Sequence, residues 1–95
     1  MNKAFNHEYR NSRPINGGMQ YVFKFPNNLG ASVVKHDFSY GNSEGLWELA
    51  VLGWENDNSY LNYDTPITDD VIGHLSELEV EQILNDIKEL ENKEE

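Results

Sequence analysis

The first clear period in the chain is two. Met19, Tyr21, Phe23 and Phe25 alternate with Gln20, Val22 and Lys24. Alternating aromatic and β-branched residues at this period predict a half-buried strand. Pro26-Asn27-Asn28-Leu29-Gly30 interrupts the pattern, because proline cannot donate to a ladder and Asn and Gly accept turn dihedrals at low cost. Ala31 to Phe38 resumes it, with Ala31, Val33, Lys35 and Asp37 on one face and Ser32, Val34, His36 and Phe38 on the other. So short a connection predicts an antiparallel hairpin. Beyond the loop Tyr40-Gly41-Asn42-Ser43-Glu44-Gly45, the near-continuous apolar run Leu46 to Leu52 fits a central strand covered on both faces. Gly53 to Ser59 reads as a turn, Tyr60 to Tyr63 as a short fourth strand, and Asp64-Thr65-Pro66 as its end.

Near the C-terminus the period becomes helical. Thr68 is placed to cap a single turn through Asp69, Asp70, Val71 and Ile72, with Gly73 as its stop. The stronger signal is Ser76-Glu77-Leu78-Glu79, a capping box with Leu75 and Val80 as its hydrophobic staple. Val80, Ile83, Leu84, Ile87 and Leu90 form one apolar stripe on the helix that follows. These elements predict an α+β fold: a four-stranded antiparallel β-meander packed on one face by a C-terminal α-helix, in a single domain over residues 19–95. Residues 1–18 are rich in Asn and Arg, contain Pro14 and end in the turn signal Asn16-Gly17-Gly18. They read as a flexible N-terminal arm that Phe5, Tyr9 and Ile15 could pin to the body.

Charge changes this picture most. The 95 residues carry a formal net charge of -10, distributed unequally. Residues 1–40 hold five basic side chains (Lys3, Arg10, Arg13, Lys24, Lys35) against Glu8 and Asp37, whereas residues 41–95 hold fifteen acids against Lys88 and Lys93. The acidic half repels phosphate backbones and anionic membranes. No Lys/Arg cluster marks the basic half, so direct nucleic-acid binding is not expected. Without cysteine there is no disulfide, thiolate metal site or cysteine nucleophile. No apolar run approaches the roughly 18–20 residues of a membrane span, and the polar start does not read as a signal peptide. The expectation is a soluble cytoplasmic protein.

Candidate chemistry is sparse. Glu77, Glu81, Asp86 and Glu89 on the C-terminal helix, joined by Asp64, Asp69 and Asp70, make an acidic surface. It reads either as a solvated face or as a protein-binding surface that imitates a phosphate backbone. Tyr40 and Trp54, placed in loops, are candidate anchors for such a partner, although Trp54 could instead fold back over a sheet edge. The three aspartates suit a hard cation but lack the spacing of an EF-hand loop, and capping by Thr68 explains Asp69 and Asp70 without a metal. His7, His36 and His74 form no zinc motif. There is no nucleophile elbow and no glycine-rich phosphate loop. No catalytic residue, cofactor or metal is expected.

The segments Tyr21-Val22-Phe23-Lys24-Phe25-Pro26-Asn27, Gly30-Ala31-Ser32-Val33-Val34, Gly45-Leu46-Trp47-Glu48-Leu49-Ala50-Val51 and Tyr63-Asp64-Thr65-Pro66-Ile67-Thr68-Asp69-Asp70-Val71 carry a resemblance. Over about residues 19–90 the chain resembles small acidic proteins encoded by tailed bacteriophages and prophages. The resemblance implies a phage setting and a bacterial cytoplasm, and supplies no catalytic residues. The expected function is that of a non-catalytic phage accessory protein. It would bind a host or phage protein through its acidic face, one specific form being an inhibitor of a bacterial defence or nucleic-acid enzyme. The alternative is a homo-oligomeric structural or interaction protein, such as a homodimer, without an inhibitory role.

Overall fold

Antiparallel pairs of consecutive strands and a long central strand organise the chain. A computed structural model describes residues 2–15, 17–35, 45–68 and 71–90. Within them the strands are β1 (Lys3–Ala4), β2 (His7–Glu8), β3 (Asn11–Ile15), β4 (Gly18–Lys24), β5 (Leu29–Lys35), β6 (Trp47–Glu55), β7 (Asn58–Leu61) and β8 (Ile72–Leu75), followed by helix α1 (Glu77–Glu89). The fold is α+β, but the sheet is larger than a four-stranded meander. Its order is β3-β4-β5-β6-β7, with β8 also paired to β6, and β1 and β2 form a separate two-stranded ribbon.

The expected β4–β5 hairpin is present, with Phe23 opposite Ala31 and Tyr21 opposite Val33. Asn28 takes the left-handed backbone in its turn, at φ 65°. β6 is the central strand anticipated from its apolar run. It pairs with β5 along one edge and with β7 and β8 along the other. It runs on through Gly53 and Trp54 to Glu55, so the predicted turn at 53–59 shrinks to Asn56 and Asp57, between the paired residues Glu55 and Asn58.

Residues 1–18 are corrected most. Residues 2–15 are not an arm outside the domain. β3 is the edge strand, pairing Asn11 with Val22 and Arg13 with Gln20, and its Pro14 is tolerated there because an edge strand needs fewer donors. β1 and β2 pair Ala4 with His7, leaving Phe5 and Asn6 as a two-residue turn with φ values of 54° and 64°, the sign that a type I′ hairpin requires. This turn inserts Phe5 into the body, edge-on to Trp47 at 5.0 Å and to Tyr21 at 5.9 Å. Tyr9 packs against Tyr21 with ring centroids 5.0 Å apart and planes tilted by 54°.

The short helix expected after Thr68 is also corrected. Asp69 and Asp70 lie outside the described residues, but Ile72 to Leu75 is strand β8. Gly73 is therefore inside a strand. The pairings Trp47–Leu75 and Leu49–Ile72 put an extra residue on β8. His74 sits in that irregularity at φ 59°, as expected of a bulge.

α1 matches its sequence signals. Ser76 is the N-cap; its hydroxyl accepts from Glu79 N at 3.2 Å while the Glu79 carboxylate accepts from Ser76 N at 2.9 Å. Val80, Leu84 and Ile87 are fully buried against Phe23, Val33, Leu49 and Val51, with Ile83 and Leu90 packed at the margin. Full burial of each such side chain stabilises by about 1.5–3 kcal/mol. The C-terminus is closed from far along the chain. Asn27, in the β4–β5 turn, donates from Nδ2 to Ile87 O at 2.9 Å and to Leu90 O at 2.8 Å. Helix and core thus occupy one face of the sheet, leaving the other for the residues of alternate parity.

Candidate functional site

α1 buries one stripe and turns the rest outward. On a helical wheel of about 100° per residue, Leu78, Gln82, Asn85 and Glu89 lie opposite the buried stripe, Asp86 to one side and Glu77 with Glu81 to the other. Glu77, Asp86 and Glu89 are exposed, and no hydrogen bond or ion pair among the described residues engages their carboxylates. Glu81 differs. It is half-buried, and its Oε2 accepts from Asn6 Nδ2 of the N-terminal hairpin at 3.0 Å. Asp64 is exposed on the connection that follows β7, where its amide is held by the side chain of Asn62. Exposed acids also occur away from the helix, at Glu8, Glu55 and Asp57. Leu78, absent from the sequence-derived candidates, is 63% exposed in the first turn of the helix, beside Glu77.

The two aromatic candidates fare differently. Tyr40 lies outside the described residues. Trp54 is not a loop residue; it sits in β6 and is only 8% exposed. Its indole crosses the second face of the sheet. Nε1 donates to Phe23 O at 3.0 Å, two strands away, and the cations of Arg10 and Lys24 lie 5.3 and 5.6 Å from the ring. The turn that looked set to expose Trp54 instead lies past it, and the side chain works as a brace.

That brace stands beside a cleft which the sequence did not announce. In a flat sheet, β3 and β6 would be about 14 Å apart, at about 4.8 Å per strand step. Yet Arg10, just ahead of β3, donates from Nη2 to Asp57 Oδ1 of the β6–β7 turn at 2.7 Å. Lys24 Nζ donates to Asn56 O at 2.8 Å. The sheet therefore curls on its second face until its two sides touch at one end. The result is a cleft of about 540 Å³, lined by Arg10, Asn11, Arg13, Gln20 and Val22 on one side and by Trp54, Asp57 and Ser59 on the other. Arg13 Nε donates to Gln20 Oε1 at 2.7 Å, and Gln20 Nε2 to Ser32 Oγ at 2.8 Å. The sequence showed these basic residues as scattered because period-two alternation and the curl, not adjacency, bring them together.

His7 is buried with its ring 5.7 Å from Phe25, His74 is exposed in β8, and His36 lies outside the described residues. Among the described residues, no group of three His, Cys, Asp or Glu side chains is arranged to hold a metal, and no helix is long and apolar enough to cross a membrane. No protein-family model, curated protein or solved structure matches this chain.

Proposed function

We propose that this is a non-catalytic binding protein that recognises a basic surface on another protein through the outward face of α1. The observation that carries this reading is the exposure of Leu78, at 63%, in the first turn of the helix whose outward side also carries Glu77, Asp86 and Glu89. Carboxylates steer a basic partner and raise its association rate, while an apolar side chain supplies area that can be desolvated on contact. The helix is suited to this role because both ends are fixed, by Ser76 and Glu79 at one and by Asn27 at the other. The resemblance to phage and prophage proteins supplies the setting: a bacterial cytoplasm, and a host or phage protein as partner. One specific form of this role is an inhibitor of a bacterial defence or nucleic-acid enzyme.

The test is affinity capture from a bacterial host with three baits: the natural chain, a variant neutralised at Glu77, Glu81, Asp86 and Glu89, and Leu78→Ser. A basic protein captured by the first and lost from both variants is the expected result. Capture that is unchanged in both variants, or that is unaffected by raising salt to about 1 M, where charges are screened within about 3 Å, overturns it.

A second reading, self-association, is favoured by β7. All four of its residues are exposed, including Tyr60 and Leu61, and it ends the sheet among the described residues. Such an edge is a template for strand pairing with another copy. Sedimentation that shows a monomer at every concentration removes this reading.

A further inference from the structure

The cleft on the second sheet face plays no part in the reading above, and its chemistry is opposite to that of α1. We propose that it is a binding site for a compact phosphate-bearing small molecule, whose phosphoryl oxygens are held by Arg10 and Arg13 beside Trp54. Its volume, about 540 Å³, falls in the range of roughly 300–1,000 Å³ typical of small-molecule sites. Its donors are two guanidinium forks, the amides of Asn11 and Gln20 and the hydroxyl of Ser59. Guanidinium forks match the geometry of phosphate oxygens and bind them bidentately.

Two features point to an anion at this position. Arg13 is oriented by the Gln20–Ser32 relay through Nε alone, and among the described residues no hydrogen bond engages its terminal nitrogens. Arg10 already holds an anionic group, the carboxylate of Asp57, at 2.7 Å. The Asp57 side chain is 82% exposed and sits on a hairpin turn. An exposed ion pair of this kind contributes only about 0–1 kcal/mol, so a phosphate dianion can displace the carboxylate and take its place on the guanidinium. Asp57 thus stands where a ligand oxygen belongs. The net charge of -10 favours a compact ligand over a polymer, because a long phosphate backbone leaving the cleft would meet the acidic elements.

Titration of the ¹⁵N-labelled full chain with sodium pyrophosphate at constant ionic strength tests the assignment. The expected result is a saturable shift of the Trp54 indole N–H and the Arg13 Nε–H, with the amides of α1 unmoved. Arg13→Gln should weaken binding at least tenfold. Asp57→Asn should tighten it several-fold, because a competing carboxylate is removed. Both side chains are exposed, and unchanged core amide shifts show that each variant is folded. Absence of a saturable shift, equal affinity in Arg13→Gln, weaker binding in Asp57→Asn, or tighter binding of a single-stranded oligonucleotide than of pyrophosphate would each overturn the proposal. None of these variants touches α1, so this result and the partner-capture result fail independently.

Discussion

At the scale of single residues, two glycines that the sequence pattern assigns to turns, Gly30 and Gly53, lie inside strands. A Cβ on Gly53 would fall within the Tyr60 ring, and a Cβ on Gly30 would collide with the Phe23 carbonyl and the Trp54 indole. Both glycines sit inside strands for this reason, because another group approaches the backbone too closely for a side chain. Read along the sequence, Gly53 looked like the start of a turn and carried Trp54 into the turn with it. Nothing local signals that an aromatic ring from the neighbouring strand fills the space. Gly30→Ala should destabilise the protein by about 1–3 kcal/mol through overpacking, measured by denaturant titration, and should shift the Trp54 indole N–H signal as its bond to Phe23 O is strained. A variant as stable as the parent would show that the indole does not lie across Gly30.

At the scale of elements, α1 was legible and the N-terminal hairpin was not. The helix declares itself locally: its cap, its box and its apolar stripe lie within fifteen residues of one another. Only its C-terminal closure by Asn27 was hidden, since that contact spans sixty residues of sequence. Ser76→Ala should cost about 1 kcal/mol, and Asn27→Ala about 1–3 kcal/mol because carbonyls at the helix end lose their donor. Leu84→Ala should cost about 2–5 kcal/mol, and Ile83→Ala less, since Ile83 lies at the margin of the core. Equal losses for Leu84 and Ile83 in thermal unfolding would contradict the observed rotation of the helix. The β1–β2 hairpin escaped detection because its turn is Phe5-Asn6, where an Asn-Gly or Asp-Gly pair is the usual mark. A left-handed conformation costs a residue such as Phe about 1–2 kcal/mol. Burial of the ring against Trp47, Tyr21 and Phe23 offsets that cost, and such a tertiary gain has no trace in a local pattern.

At the scale of the whole molecule, charge asymmetry along the chain becomes asymmetry across the sheet. The sequence showed that basic residues precede acidic ones. It could not show that Arg10 and Lys24 meet Trp54 on one face, with Arg13 lining the same cleft, while α1 covers the other, because that separation depends on the register of β3 and on the curl. Four of the acidic candidates, Glu77, Glu81, Asp86 and Glu89, share one locally encoded helix and so stand together in the sequence; the cleft is not legible there, because its residues come from four strands and a turn. The N-terminal hairpin is part of the same body. Phe5→Ala should lower stability by about 3 kcal/mol and expose the flank of α1 to faster amide exchange. If that substitution left both unchanged, the first nine residues would be dispensable to the fold.

The bond from Asn6 to Glu81 brings the opening ribbon beside the closing helix. Regions that touch in this way open and close together, so removal of the Glu81 carboxylate, as in Glu81→Ala, should raise amide exchange in the ribbon as well as in the helix.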